Sequence, residues 1–182
     1  MDRAWARDLT EQLLAEPLPR RWAHSQGVGR KAESIADAFG SDAELLVSAA
    51  WLHDIGYAPS VSVTGFHSLD GARYLRDVVG AEDRLCALVA YHSCAHIEAR
   101  NRGLAAELAA EFMPVGELFA DALTFCDMTT TPDGRPTDVE ARLAEILSRY
   151  GEGHLVAESI SEARPCIVGA ARKVTGLIAA RR

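Results

Sequence analysis

The sequence predicts an all-α fold, a compact single-domain helical bundle, on three observations. Segments rich in Ala, Leu, Glu and Arg, with apolar residues at helical spacing, recur along its 182 residues. Alternation with β-branched residues shows only briefly, over residues 60–64, and no linker, internal repeat or low-complexity stretch divides the chain. With 48% apolar and 25% charged residues it can bury one sizeable core, which excludes disorder, collagen and a disulfide scaffold.

The elements follow in order. Leu9, Leu13 and Leu14 mark a first helix that stops at Pro17 and Pro19. A second spans about 20–39, with Val28, Ala32, Ile35 and Phe39 on one stripe, and ends at Gly40. Asp42 is placed to cap a third, whose stretch 45–52 is apolar nearly all round; that helix should be central and end at Gly56. A loop over 57–65 leads to helices near 67–79, 82–92 and 104–112, then, after Pro114, to one over 115–128. Residues 131–136 read as a turn. Val139, Leu143, Ile146, Leu147 and Tyr150 form an amphipathic stripe, and the tail from Glu152 gives one or two helices interrupted near Pro165.

Charge and cysteine usage bound the function. Asp and Glu number 26 against 19 Lys and Arg, a net charge of −7, which argues against a nucleic-acid polymer or an anionic membrane as partner. No apolar run is long enough to span a bilayer, and the first residues lack the basic region and apolar stretch of a signal peptide. Cys86, Cys94, Cys126 and Cys166 form no Cys-x-x-Cys pair and sit in apolar helical patterns, as buried thiols do. A reduced cytoplasm is the expected compartment.

The chemistry gathers on a few ionisable side chains. The central helix ends in His53-Asp54, and burying an imidazole and a carboxylate costs several kcal/mol unless something compensates. A divalent cation is an economical compensator, since both groups are good ligands. His24 lies one turn before Val28, on the apolar face of its helix, and His92 follows Leu85, Leu88 and Val89 on another buried stripe. Asp127 points about 120° away from Asp121, towards the core. His67 opens the helix after the loop. Each residue alone also reads as a hydrogen-bonded core group, and Asp127 as a cap or an arginine partner. Taken together they favour a metal site. His92-Ser93-Cys94-Ala95-His96 is too poor in further ligands for a separate zinc clip, and His154 reads as an exposed helix-start residue.

In this pattern the chain resembles the HD-domain superfamily of metal-dependent phosphohydrolases, through His24, the pair His53-Asp54 and Asp127 in the order His…His-Asp…Asp. Residues 50–56 look like its central signature and residues 66–72 like its downstream segment. The resemblance covers residues 20–130 and implies a metal-binding core there, with C-terminal helices at 137–181 packed on it within one domain, 1–182. It further implies one metal held by His24, His53 and Asp127, a second by His67 and His92, and Asp54 bridging both. One or two divalent ions are implied, Fe or Mn before Mg, Co, Ni or Zn. The implied activity is hydrolysis of a small phosphate ester or anhydride, such as a nucleotide, by metal-bound hydroxide, with Asp54 and His53 as the catalytic pair. A di-iron oxygenase of the same superfamily and a non-catalytic regulatory domain are the alternatives.

One departure stands out. Many members carry Lys two positions after Ile55, where it meets phosphate; this sequence has Tyr57. Arg20 and Arg21, one turn before His24, and Arg73 could supply the missing charge, although each also reads as a surface residue. The Thr130 hydroxyl could meet a substrate oxygen or orient a ligand. No nucleophile elbow, phosphate-binding loop or Gly-x-Gly-x-x-Gly competes. The apolar C-terminal helix also offers a face for a homodimer.

Overall fold

Asp2 accepts the Trp5 N–H and so starts α1 (Arg3–Leu14), which buries Ala6, Thr10, Leu13 and Leu14. Pro19 then opens α2 (Pro19–Ile35), at a position where the missing N–H is no loss. The computed structural model describes residues 2–180; residues 1, 181 and 182, the ends of the expected domain, lie outside the described residues.

α2 stops earlier than predicted and tightens into a 3-10 segment, Ala36–Asp42, where Gly40 takes a φ of 56°. In α3 (Ala43–Leu52) every residue from Leu45 onward is buried. It is the central helix, with α1, α2 and the later α5 and α8 packed around it. α3 ends at Leu52 rather than at Gly56. Consecutive helical residues point about 100° apart, and leaving the helix here lets His53 and Asp54 both face inward before the short turn Ile55–Tyr57.

The loop that follows is organised by Asp70, which is buried and accepts the backbone N–H groups of Val63, Thr64 and Gly65 and the Thr64 hydroxyl. That anchors the start of α4 (His67–Tyr74), which continues through a π-turn, Leu75–Val79. α5 (Asp83–Tyr91) ends at His92. α6 (Ala95–Asn101) was not foreseen: its seven residues make two turns, too few for a periodic signal. α7 (Ala105–Glu111), α8 (Glu117–Met128) and α9 (Val139–Tyr150) fall where the sequence places helices.

The tail is one helix, α10 (Leu155–Ala179), with Pro165 inside it. An interior proline costs about 3 kcal/mol. Here Pro165 is exposed, while Ala163, Ile167, Ala170, Ala171 and Val174 bury the other face against α8 and α9, so packing outweighs the break. These five residues of the α10 apolar face are covered within the chain. Among the described residues there is no strand, and one isolated bridge, between Thr130 and Pro136, closes the predicted turn.

The cysteines differ from expectation. Cys86 and Cys126 are buried free thiols, but Cys94 and Cys166 form a disulfide across a separation of 72 residues. No spacing rule reaches that far; α10 passing the turn at 92–94 creates the pair. Disulfides persist in oxidising surroundings, so the cysteines give no support to a reducing compartment. Among the described residues no helix is long and apolar enough to cross a membrane. Apolar side chains form a large core around α3 and a smaller one of Cys94, Met128, Leu143, Ile146, Ala163 and Ile167 between α8, α9 and α10.

Candidate metal centre

Three imidazoles are fixed by their own backbone surroundings. The Nδ1–H of His53 meets the Ala50 carbonyl at 2.8 Å, that of His92 the Val89 carbonyl at 2.6 Å, and that of His24 the Thr131 carbonyl at 3.0 Å. A neutral imidazole that donates through Nδ1 carries a lone pair on Nε2. All three rings turn their Nε2 atom inward. His53 Nε2 is buried and has no hydrogen-bond partner, which is costly for a polar atom left alone.

What these Nε2 atoms face are carboxylates and a further imidazole. His24 Nε2 lies 3.0 Å from Asp127 Oδ1, and His53 Nε2 lies 3.6 Å from Asp54 Oδ2 and 4.0 Å from Asp127 Oδ1. On the other side His67 Nε2 is 3.1 Å from His92 Nε2 and 3.6 Å from Asp54 Oδ1. The His24–Asp127 contact closes as a hydrogen bond when Nε2 carries a proton; His53 Nε2 has no such partner, and a divalent cation among these groups would satisfy it. Two groups of three donor atoms result, His24 with His53 and Asp127, and Asp54 with His67 and His92. The two Asp54 oxygens are divided between them.

Burial and charge set the protonation of the centre. Burial drives the His53 imidazole down to about 4, against the pull of Asp54 and Asp127, so it is neutral at pH 7. Burial, and then His92, also holds His67 well below its ordinary value. Burial opposes the charge of both carboxylates, yet both remain below their ordinary range. The Arg21 guanidinium chiefly holds Asp54 down, and the hydrogen bond with His24 does so for Asp127. Arg21 Nη1 donates to Asp54 Oδ2 at 2.8 Å, and its guanidinium lies 3.8 Å above the Tyr57 ring, which stacks on His67 at 4.1 Å. Tyr57 therefore supplies a surface that holds Arg21 and His67, where a lysine would have supplied a charge.

Small residues make these approaches possible. A Cβ on Gly56 would come within 1.9 Å of the His67 carbonyl, so only glycine lets the His-Asp turn close on the start of α4. Gly27 and Gly134 meet in the same way, docking the turn that offers the Thr131 carbonyl to His24. Ser93 and Cys94 hold left-handed backbone, with φ of 51° and 59°, which costs non-glycine residues about 1–3 kcal/mol each. The turn aims the Ser93 hydroxyl at Asp127 Oδ2, and that leaves Oδ1 facing His24.

A family model described as the HD domain matches residues 21–151, well over half of the chain. The chain belongs to the HD-domain family. Comparisons with curated proteins and with solved structures find no match. HD domains bind divalent metals, and their family is generally one of hydrolases; the donor set here, imidazoles and ionised carboxylates with an orphaned Nε2, fits such ions.

Of the residues singled out from the sequence, His24, His53, Asp54, His67, His92 and Asp127 converge, and Arg21 joins them. Arg20, Arg73 and Thr130 do not. Arg20 is exposed and pairs with Asp133. Arg73 is held by Glu107 and Glu111 in a separate surface cluster. The Thr130 hydroxyl donates to the Cys126 carbonyl, and its methyl packs towards Gly27. In the 92–96 stretch Cys94 is committed to its disulfide and His96 is exposed, so no metal clip forms. Sequence reasoning missed Ser93, which no pattern marks, Arg142, which its place one turn from Val139 and Ile146 on the apolar stripe could have flagged, and Arg149 on the same helix. All three line a cavity of about 80 Å³ together with Asp54, His67 and Asp127.

Proposed function

We propose that this HD domain is a metal-dependent phosphohydrolase acting on a small phosphate ester or anhydride, with a nucleotide as the leading substrate class. The observation that carries the reading is the set of inward Nε2 atoms, each on a ring whose Nδ1 meets a backbone carbonyl, those of His24 and His53 facing carboxylates and that of His92 facing His67. His24, His53 and Asp127 would hold one ion, His67 and His92 the other, with one Asp54 oxygen for each. Fe or Mn suits this mixture of imidazole and carboxylate. Paired divalent ions supply hydroxide at neutral pH and neutralise phosphoryl oxygens.

The chain's own part is placement and charge. Arg21 orients Asp54 and offsets its negative charge, and Ser93 fixes the rotation of Asp127. Tyr57 and the apolar side chains of α9 and α10 screen one flank of the cavity from water. The test is phosphate release by protein loaded with Mn or Fe, measured on mono-, di- and dinucleoside phosphates. Release on at least one substrate, lost in His53→Ala and Asp54→Asn, is the expected result. Release that survives His53→Ala, or substrate-dependent oxygen uptake by the iron form in its place, would overturn the proposal.

A further inference from the structure

Arg21, the cation at the His-Asp turn, is committed to Asp54. Two further arginines line the same cavity from α9. Arg142 sits on α9 with only 4% of its surface exposed. Its Nη1 donates to Glu145, while its Nε is buried with no partner. Arg149, two turns further along the same helix, shares Glu145 at 3.5 Å, so the two guanidinium groups outnumber the carboxylate between them. Both line the cavity that contains Asp54, His67, His92 and Asp127. A buried N–H donor left without a partner is costly, and guanidinium is well matched in shape and charge to phosphate oxygens.

We propose that Arg142, seconded by Arg149, seats the oxygens of the substrate's phosphate in the metal cavity, in place of the absent lysine. The inference rests on the phosphohydrolase reading for its substrate, but binding of the anion can be measured apart from turnover. Orthophosphate titrated calorimetrically into the manganese-loaded full chain is the probe, with Arg142→Met and Arg142→Lys as variants and manganese content determined for each.

The expected result is orthophosphate affinity at least tenfold weaker in Arg142→Met, intermediate in Arg142→Lys, with the manganese content of wild type. On any ester that is turned over, KM should rise more than kcat falls. The Nε–H resonance of Arg142 in ¹⁵N-arginine-labelled wild-type protein loaded with diamagnetic zinc should shift on phosphate addition, a readout that needs no variant to fold. Wild-type phosphate affinity in Arg142→Met, or an unmoved Arg142 resonance in a protein that binds phosphate, overturns the proposal while leaving the hydrolase reading intact. Arg142-dependent phosphate binding without hydrolysis of any ester supports the seat and overturns the hydrolase reading.

Discussion

His53 shows how much one side chain's surroundings decide. Its Nδ1–H is committed to Ala50, its Nε2 is orphaned, and burial takes its pKa from 6.5 to about 4. The unfolded chain therefore takes up this proton at a higher pH than the folded chain, and folding is favoured as pH rises from about 4 to 6.5. The lowered carboxylates of Asp54 and Asp127 act in the same direction at lower pH, since their contribution is complete above the unfolded carboxylate range and is lost as pH falls below it. Through His53 alone, metal-free protein should thus lose on the order of 2–3 kcal/mol of stability between pH 7 and pH 4.5, and His67, also held low by burial, adds in the same direction. Urea melts across that range measure it, and His53→Gln should flatten the slope; an equally steep slope in the variant would assign the effect elsewhere. Gly56 makes a steric prediction. Gly56→Ala places a methyl against the His67 carbonyl, and overpacking of this kind costs about 1–3 kcal/mol. It should also displace His67 and reduce bound metal; a variant with wild-type melting and metal content would show that the turn yields freely.

At the scale of elements, the join between the 92–94 turn and α10 carries the most weight. The turn holds His92, Ser93 and Cys94, and the disulfide ties it to the middle of α10, beside the exposed Pro165. Closing a loop of this length stabilises a fold by about 2–4 kcal/mol. Reduction, or Cys166→Ser, should therefore lower the melting temperature by roughly 5–15 °C. Thiol titration of the unfolded chain should find two groups before reduction and four after it. Four thiols in the unreduced protein would refute the bridge. The loop before α4 depends on a different element. Asp70 accepts three backbone N–H groups from it, and Asp70→Ala would leave those donors without their partner, at about 1–3 kcal/mol.

Across the whole molecule, the six donor residues come from α2, the end of α3, the start of α4, the end of α5 and the end of α8. An ion bound among them links segments separated by more than a hundred residues and stabilises only the folded chain. Manganese or ferrous ion at a hundred times its dissociation constant adds about 2.7 kcal/mol, which for a chain of this size raises the melting temperature by roughly 5–10 °C. Chelation should reverse the shift. Indifference of melting to every divalent ion tried would remove the metal centre, and the proposed activity with it.

The amino-acid order alone determined the helical class and most helix positions, because apolar spacing of three and four residues is a local property. It also singled out the donors that lie inward, since the face on which His24, His92 or Asp127 sits follows from residues one or two turns away. Only the tertiary structure decided what meets what. That Ser93 reaches Asp127, that Arg142 rather than Arg73 enters the cavity, and that Cys94 finds Cys166 all depend on how helices distant in the chain are packed. Thr130 and Arg20 stood close to donors in sequence yet turn away from the centre, because hydrogen bonds to Cys126 and Asp133 hold their side chains elsewhere. Periodicity fixes the face a residue occupies; the neighbour on that face is set by long-range packing, which no local spacing encodes.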